Sequence, residues 1–217
     1  MFESCPLLFQ HTHILKTVKF VENEAMKNGK DKHKKLERNV IRAVSQQPQV
    51  GDDVLHVAPI ISSFVAQHPG IMVEEEVTLN RKLNPTGWFD KDAWIRAKMD
   101  LVGEVNPTSK LPDRVLSILD WKTGQVRETP DQLRLYNMVA MLRWDRTQSV
   151  TSAFVFVDHK KCSAPVTNYR PELQSLVNEF CDRAEAIQIA YERGTWPATK
   201  NFQCRWCGVT TCKYITR

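Results

Sequence analysis

The sequence of 217 residues contains no apolar run long enough to span a bilayer. Its first residues, Met-Phe-Glu-Ser-Cys-Pro, lack the charged n-region and the apolar h-region of a signal peptide. It also contains no internal repeat, no low-complexity segment and no Gly-x-x-x-x-Gly-Lys loop of the kind that binds nucleotide phosphates. The first two absences predict a soluble cytoplasmic protein with no membrane partner. The missing phosphate-binding loop indicates that the sequence does not contain a helicase motor.

The composition is that of a globular domain with one basic region. Hydrophobic residues make up 42% of the chain, which is enough for a real core, and we expect one domain over residues 1–217. The net charge of +5 is modest, but basic residues crowd into one stretch: Lys27, Lys30, Lys32, Lys34, Lys35 and Arg38. Such a patch indicates a polyanionic partner more directly than the net charge does.

Hydrophobic periodicity and turn residues predict helices first, then three strands in succession, then helix, strand and helix. The expected helices cover residues 7–18, 20–46, 54–67, 130–143 and 171–191. The expected strands cover residues 71–79, 94–102, 115–121 and 149–157. This order predicts a mixed α/β fold with a central mixed sheet flanked by helices.

Asp120 and Lys122 stand two positions apart at the end of the third predicted strand. Residues i and i+2 of a strand project to the same side, so these two charges share a face while Trp121 points the other way. Such a pair is costly unless something binds it, and a divalent metal with a phosphate would satisfy both groups. Asp100, near the end of the preceding strand, would bring a second carboxylate to the same cation. Oxygen ligands suit Mg²⁺ or Mn²⁺.

Gln132 and Tyr136 follow on the next predicted helix, four residues apart and therefore on one face. With a phosphate in place, a cation would polarise the phosphoryl oxygen, while Lys122 would orient the attacking water or stabilise the developing charge. The chemistry that these residues imply is metal-assisted phosphodiester hydrolysis.

Four motifs in this order resemble the core of the PD-(D/E)XK nuclease superfamily, and within it the RecB-like exonuclease branch. They are Gly29-x-x-x-His33, Asp100, Asp120-Trp121-Lys122-Thr123-Gly124 and Gln132-x-x-x-Tyr136. The resemblance implies a restriction-endonuclease-like central sheet flanked by helices. It also implies that Lys122 is the catalytic lysine.

By the same resemblance, His33, Asp100 and Asp120 are metal ligands, with the Trp121 carbonyl as a further one. Gln132 and Tyr136 would position the lysine or the DNA. Members of the family often add a glutamate from the strand before Asp100, and three are available here: Glu74, Glu75 and Glu76. Strand alternation puts Glu74 and Glu76 on one face and Glu75 on the other, which leaves the choice open.

Cys204, Cys207 and Cys212 supply three soft metal ligands within nine residues, one short of a closed tetrahedral set. The family resemblance implies that Cys5, which precedes Pro6, is the fourth. This split arrangement resembles that of CRISPR-adaptation and phage-type iron–sulfur exonucleases. The resemblance implies a [4Fe-4S] cluster that joins the ends, residues 1–18 and 195–217, to a catalytic core over residues 19–194. Zinc remains the alternative, because thiolates alone do not discriminate between the two.

The function predicted is that of a Mg²⁺- or Mn²⁺-dependent DNA exonuclease acting on single-stranded DNA or DNA ends in recombination, repair or processing. By analogy it would be a prokaryotic or phage-encoded protein. Any unwinding would come from a helicase or recombination partner. Two alternatives stay open: a catalytically idle nucleic-acid-binding or assembly subunit of the same fold, and an endonuclease of the same superfamily.

Overall fold

The computed structural model describes residues 2–18, 22–105, 114–127 and 129–215. The chain divides into two compact units, which are described separately. The larger unit is Glu24–Val177, and the smaller unit combines Met1–Asn23 with Asn178–Arg217.

A six-stranded sheet forms the centre of the larger unit. Its strands are β1 (Gly70–Asn80), β2 (Ala93–Val105), β3 (Arg114–Lys122), β4 (Thr147–Phe156), β5 (Lys161–Cys162) and β6 (Val166–Tyr169). The order is β1-β2-β3-β4-β5, and β6 also pairs with β4. The first three strands are antiparallel to one another, whereas β3 and β4 are parallel. The sheet is therefore mixed, as predicted, although the sequence did not reveal the short β5 and β6.

Five α-helices are present in the described residues. They are α1 (Pro6–Phe9), α2 (Glu24–Val44), α3 (Ala58–Gln67), α4 (Pro130–Arg143) and α5 (Leu173–Arg193). Helix α4 has the predicted bounds, with proline in its first turn, where the missing N–H costs nothing. None of the described helices combines the length and apolarity that crossing a bilayer requires.

Two hydrophobic clusters cover the sheet of the larger unit. One joins α2 and α3 to the strands and includes Leu36, Ile61 and Trp121, all fully buried. The other consists of Leu133 from α4 with Phe154 and Phe156 from β4. Because side chains alternate along β3, Asp120 and Lys122 lie on the face opposite to Trp121.

The predicted first helix over residues 7–18 is wrong in length. Helix α1 ends at Phe9 and continues as a π-helical turn over Gln10–Ile14. Lys16 then adopts a φ of 54°, which ends helical geometry. The predicted start of α2 at residue 20 lies outside the described residues, and the segment expected as a helix from residue 54 begins with a 3₁₀ turn at Leu55–Val57.

In the smaller unit, segments from both ends of the chain are hydrogen-bonded to each other. The backbone N–H of Leu7 donates to the Pro197 carbonyl at 3.3 Å. The Asn201 side chain donates to the Ser4 carbonyl at 2.9 Å, and Arg183 forms an ion pair with Glu3. These contacts bring the first residues beside the C-terminal 3₁₀ turn, Phe202–Trp206.

Candidate active site

Glu74 in β1 lies opposite Asp100 in β2. Their neighbours pair as Val73–Leu101 and Glu75–Met99. Glu74 itself has a φ of 54°, the left-handed conformation that a non-glycine residue rarely adopts within a strand. This local departure from strand geometry accompanies a carboxylate that reaches both Asp100 and His33. One ligand atom from each of the three residues lies within 4.8 Å of the other two.

Asp100 is anchored by the backbone of the next strand. Its Oδ2 accepts a hydrogen bond from the Trp121 N–H at 2.7 Å, and its Oδ1 lies 3.4 Å from His33 Nδ1. Burial alone would lower the pKa of His33, but the hydrogen bond to Asp100 and the nearby negative charges outweigh it and raise that pKa. Carboxylates therefore surround the imidazole with negative charge. The same electrostatic field attracts a cation.

The donor set of His33, Glu74 and Asp100 fits a divalent metal ion. It offers one imidazole nitrogen and two carboxylates, a combination compatible with Mn²⁺ or Mg²⁺. In the part of the chain that the structure describes, no other three His, Cys, Asp or Glu residues come close enough to share one ion. Of the three consecutive glutamates, Glu74 is thus the one that joins the set.

Asp120 lies beside this set in a hydrogen-bonded network. Its Oδ1 accepts a hydrogen bond from the Tyr136 hydroxyl at 3.0 Å, and Gln132 Nε2 donates to that hydroxyl at 2.8 Å. Its Oδ2 lies 2.5 Å from Lys122 Nζ and is the ion-pair partner of this lysine, although no hydrogen bond of ordinary geometry from the described residues reaches this oxygen. Gln132 and Tyr136 therefore share a helix face, as their spacing predicted, and both contact Asp120.

The electrostatics of this network follow from burial. Asp120 is 3% exposed, and burial raises its pKa, with the charge of Asp100 adding to the effect and Lys122 opposing it. Burial and the adjacent Asp120 raise the pKa of Tyr136 far above its ordinary value. Tyr136 consequently remains a neutral donor that keeps Asp120 oriented.

Lys122 is a partly exposed member of the network. Its side chain is 29% exposed, and its Nζ lies 4.9 Å from the centroid of the Phe154 ring. The ammonium group is thus held by a buried carboxylate on one side and an aromatic ring on another. Asp120 is not in the three-residue donor set, so metal ligation by Asp120 and by the Trp121 carbonyl stays a prediction.

Sequence reasoning missed two residues that hold the turn after β3. Asp158 Oδ2 accepts a hydrogen bond from the Gly124 N–H at 2.7 Å, and His159 Nε2 lies 2.8 Å from the Gly124 carbonyl oxygen. The other carboxylate oxygen of Asp158 forms an ion pair with Lys32 of α2. No motif marks these residues, because they act on backbone atoms far away in the chain.

Two lysines of the basic stretch have carboxylate partners within the larger unit. Besides the pair of Lys32 with Asp158, Lys35 Nζ lies 2.9 Å from both carboxylate oxygens of Asp53. These pairs tie α2, which carries His33, to the loops around it. Part of the basic stretch is therefore structural.

The four cysteines singled out in the sequence line one cavity of the smaller unit. These are Cys5, Cys204, Cys207 and Cys212. All six cysteines are free thiols, so no disulfide accounts for this gathering. The backbone N–H of Asn201 points at Cys204 Sγ at 3.4 Å, a contact that stabilises negative charge on sulfur.

The sequence matches the PD-(D/E)XK nuclease superfamily over residues 1–212, and the chain belongs to that superfamily. Its members are metal-dependent nucleases, so binding of nucleic acid and of a divalent metal follows from membership. Among solved structures, the chain is similar to the crystal structure of SSO0001, with 14% identity, a TM-score of 0.38, and coverage of 76% of this chain and 69% of that chain. No curated protein matches the chain.

Proposed function

We propose that this protein is a DNA exonuclease of the RecB-like branch that hydrolyses phosphodiester bonds of single-stranded DNA or DNA ends. The observation that carries the proposal is the convergence of His33, Glu74 and Asp100 beside the Asp120–Lys122 pair. An idle subunit has no need for a buried carboxylate network that does nothing but orient one accessible ammonium group. The intact site therefore supports an active enzyme.

The residues would divide the work between metal binding and orientation of the substrate. A divalent ion held by the donor set supplies polarisation of the phosphoryl oxygen. Lys122 orients the attacking water and stabilises negative charge that develops on the phosphate. Asp120 fixes the lysine, and Tyr136 with Gln132 fixes Asp120, so the ammonium group is in place before the substrate arrives.

The donor set also favours one metal over another. Mg²⁺ prefers oxygen ligands in octahedral geometry, whereas Mn²⁺ tolerates an imidazole among carboxylates more readily. Because His33 lies with Glu74 and Asp100, we expect Mn²⁺ to support cleavage at lower concentration than Mg²⁺. Equal half-saturation by the two ions would argue that His33 stays unligated.

The direct test is degradation of end-labelled DNA by the purified protein. Cleavage should require Mg²⁺ or Mn²⁺ and disappear in Lys122→Ala while the fold stays intact. Lys161→Ala is the matched control, because Lys161 is an exposed lysine of the same unit on β5. Substantial cleavage by Lys122→Ala would overturn the proposed role of this lysine.

Substrate form separates the remaining alternatives. An exonuclease degrades linear single-stranded DNA and leaves circular single-stranded DNA intact, whereas an endonuclease cuts both. No divalent-dependent cleavage of single-stranded, duplex or flapped DNA would instead favour the idle binding subunit. Because the chain has no phosphate-binding loop, degradation of long duplex would depend on an added helicase from recombination or repair in the prokaryotic cytoplasm.

The cysteines of the smaller unit are proposed to hold a [4Fe-4S] cluster. They line one cavity, yet within the described residues their sulfurs are not close enough for three to share one ion. A zinc site needs all four sulfurs about 2.3 Å from a single ion, whereas a cluster takes one sulfur at each of four iron corners. The support for the cluster is the shared cavity together with the split order of the cysteines, one early and three late in the chain.

Metal analysis of anaerobically purified protein tests this assignment. Iron with inorganic sulfide and visible absorbance is expected, and both should be lost in Cys204→Ser. Cys181→Ser is the matched control from the same unit, because Cys181 does not line the cavity. Stoichiometric zinc without iron would overturn the cluster.

A further inference from the structure

The hairpin of β1 and β2 extends well beyond the metal-ligand residues. Asp100 lies seven residues from Ala93, where β2 begins, which corresponds to about 23 Å of strand. The strand partners of this outer part lie in β1, from Glu75 to Asn80, and none of them belongs to the donor set or to the Lys122 network. Apart from an ion pair between Lys98 and Glu74, the extension has no role in the site described so far.

Two basic side chains, at the second and fourth positions before Asp100, lie on the same face of β2 as Asp100. Along β2, Arg96 and Lys98 are exposed while Ala97 and Met99 are buried, so strand alternation is regular here. Lys98 Nζ lies 2.8 Å from Glu74 Oε2, which places this face next to the metal-ligand residues. Arg96 and Lys98 stand about 7 Å apart along the strand.

The loop that closes the hairpin presents an aromatic ring to solvent. Phe89 is 91% exposed, the highest value among the exposed large hydrophobic residues described. Beside it, the guanidinium carbon of Arg96 lies 5.9 Å from the centroid of the Trp88 ring, and Arg96 Nε donates to the Trp88 carbonyl at 2.7 Å. The basic face therefore leads directly to the loop that displays Phe89.

Internal hydrogen bonds shape this loop. Asp90 accepts hydrogen bonds from the Thr86 hydroxyl at 2.5 Å and from the Gly87 N–H at 2.6 Å. Its own N–H donates to the Gly87 carbonyl at 3.1 Å. Asp90 thus shapes the turn, and the exposure of Phe89 is a consequence of an ordered loop.

The charge of the segment complements a nucleic acid. Residues 81–98 contain five lysines and arginines against two aspartates, and one of these, Asp90, is engaged within the turn. Glu74 and Glu76 of β1 lie 2.8 Å and 3.7 Å from Lys98 and offset part of that charge. The remaining excess is positive and continuous with the site that would receive the scissile phosphate.

We propose that this hairpin binds a single strand of nucleic acid that leaves the metal site, with phosphates over Lys98 and Arg96 and a base stacked on Phe89. The inference rests on the proposed function for the location of the scissile phosphate. An exposed aromatic ring beside basic groups is the means by which proteins hold unpaired bases, whose faces a duplex keeps stacked. The hairpin therefore selects single strands over duplex.

Binding without divalent metal tests the inference independently of cleavage. We would measure fluorescence anisotropy of a labelled oligothymidylate, and of a duplex of equal length, with chelator present. The wild-type protein should prefer the single strand, and Phe89→Ala should weaken that binding about 5- to 100-fold while leaving duplex binding unchanged. Unchanged single-strand binding by Phe89→Ala would overturn the proposal, as would equal affinity of the wild type for both DNAs.

Two substitutions at the same position distinguish base stacking from apolar contact. Phe89→Trp should retain single-strand binding, and Phe89→Leu should lose it, because leucine offers apolar area without a flat ring. Retention by Phe89→Leu would contradict stacking and would show that apolar contact alone holds the strand. Since Phe89 is almost fully exposed, each variant should keep the wild-type unfolding midpoint.

Salt dependence tests the phosphate contacts. Arg96→Gln should reduce the slope of log affinity against log salt by about 0.7, the value for one phosphate of a single strand. Arg42→Gln is the matched control, because Arg42 Nε also donates to a backbone carbonyl, that of Pro48, but lies on α2. An equal slope for Arg96→Gln and the wild type would remove Arg96 from the path.

The outcomes remain separable from those of the proposed function. A protein that binds single strands through Phe89 but cleaves nothing with Mn²⁺ would refute the nuclease activity and leave the hairpin assignment standing. A protein that cleaves with Mn²⁺ while Phe89→Ala binds and cleaves normally would do the reverse. Cleavage of a dinucleotide, too short to reach the loop, should be equal in Phe89→Ala and the wild type.

Discussion

Gly29 of α2 and Thr123 after β3 approach so closely that a Cβ on Gly29 would lie 2.7 Å from Thr123 Oγ1. This contact joins the motif that carries His33 to the motif that carries Lys122. Gly29 is buried, and α2 continues through it without interruption. The glycine is therefore required for the approach of the helix to the turn, and it does not end the helix as glycine often does.

Gly29→Ala should impair metal binding without lowering stability in proportion. Alanine favours a helix interior over glycine by about 1 kcal/mol, which opposes the cost of the clash. Displacement of α2 moves His33, so we expect Mn²⁺ affinity about 10-fold weaker or worse in titration calorimetry. Thr123→Ala in the same chain removes the clashing oxygen and should restore the affinity. Failure of this double variant to recover would show that the contact is not the cause.

Glu74 should be the glutamate whose loss abolishes metal binding. Glu74→Gln removes one of two carboxylates from the donor set, and we expect Mn²⁺ affinity to fall at least about 10-fold. Glu75→Gln and Glu76→Gln are controls with the same chemical change at neighbouring positions, and their affinities should match the wild type. Weaker binding in either control than in Glu74→Gln would contradict the assignment.

Glu74 also illustrates strain at a functional position. A non-glycine residue in the left-handed region costs about 1–2 kcal/mol, whereas glycine adopts it freely. Glu74→Gly should therefore lose Mn²⁺ binding. In the absence of metal, it should nevertheless unfold at an equal or higher denaturant concentration than Glu74→Gln. Lower stability of the glycine variant would show that the backbone conformation is not strained.

Asp158 should contribute stability that depends on pH. Its hydrogen bond with Lys32 is the main cause that holds its pKa below the ordinary value of 3.8, with the Gly124 N–H assisting and burial opposing. A folded pKa below the unfolded one stabilises the fold at neutral pH, and this contribution disappears as pH falls below 3.8 through the folded pKa. Asp158→Asn keeps an acceptor for Gly124 but removes the charge.

Chemical denaturation across pH checks this linkage. The stability difference between the wild type and Asp158→Asn should be greatest near neutral pH and vanish in acid. It should not exceed about 1 kcal/mol, because both partners are partly exposed. In a Lys32→Met background, the same substitution should show a much smaller dependence on pH. A difference that stays constant into acid would exclude the ion pair as its source.

The parts of the site that lie on regular elements were predictable from sequence. Asp100 and Asp120 meet because consecutive antiparallel strands are neighbours, and Gln132 and Tyr136 share a face because they are four residues apart on a helix. The superfamily recognised from the four motifs is confirmed over nearly the whole chain. Periodicity and motif order were sufficient for these features.

Other features could not be read from local pattern. Alternation treats Glu74 and Glu76 alike, and only the irregular backbone at Glu74 breaks that symmetry. Asp158 and His159 bind the backbone of Gly124, which requires no particular spacing and leaves no motif. The strands β5 and β6 have two and four residues, too few to show a period.

Tyr136→Phe should uncouple the buried carboxylate from the helix that positions it. The tyrosine hydroxyl is the short link between Gln132 and Asp120, since Gln132 Nε2 itself lies 3.4 Å from Asp120 Oδ1. Its removal leaves a buried oxygen poorly satisfied, which should lower the free energy of unfolding by about 1–3 kcal/mol. Because the tyrosine hydrogen bond also lowers the pKa of Asp120, that pKa should rise further in Tyr136→Phe, and the ion pair between Asp120 and Lys122 should weaken.

Cleavage by Tyr136→Phe should fall mainly in kcat, whereas Tyr169→Phe, at a half-exposed tyrosine, should change neither kcat nor stability. A fall in stability with kcat unchanged would mean that Tyr136 supports the fold but does not position the lysine.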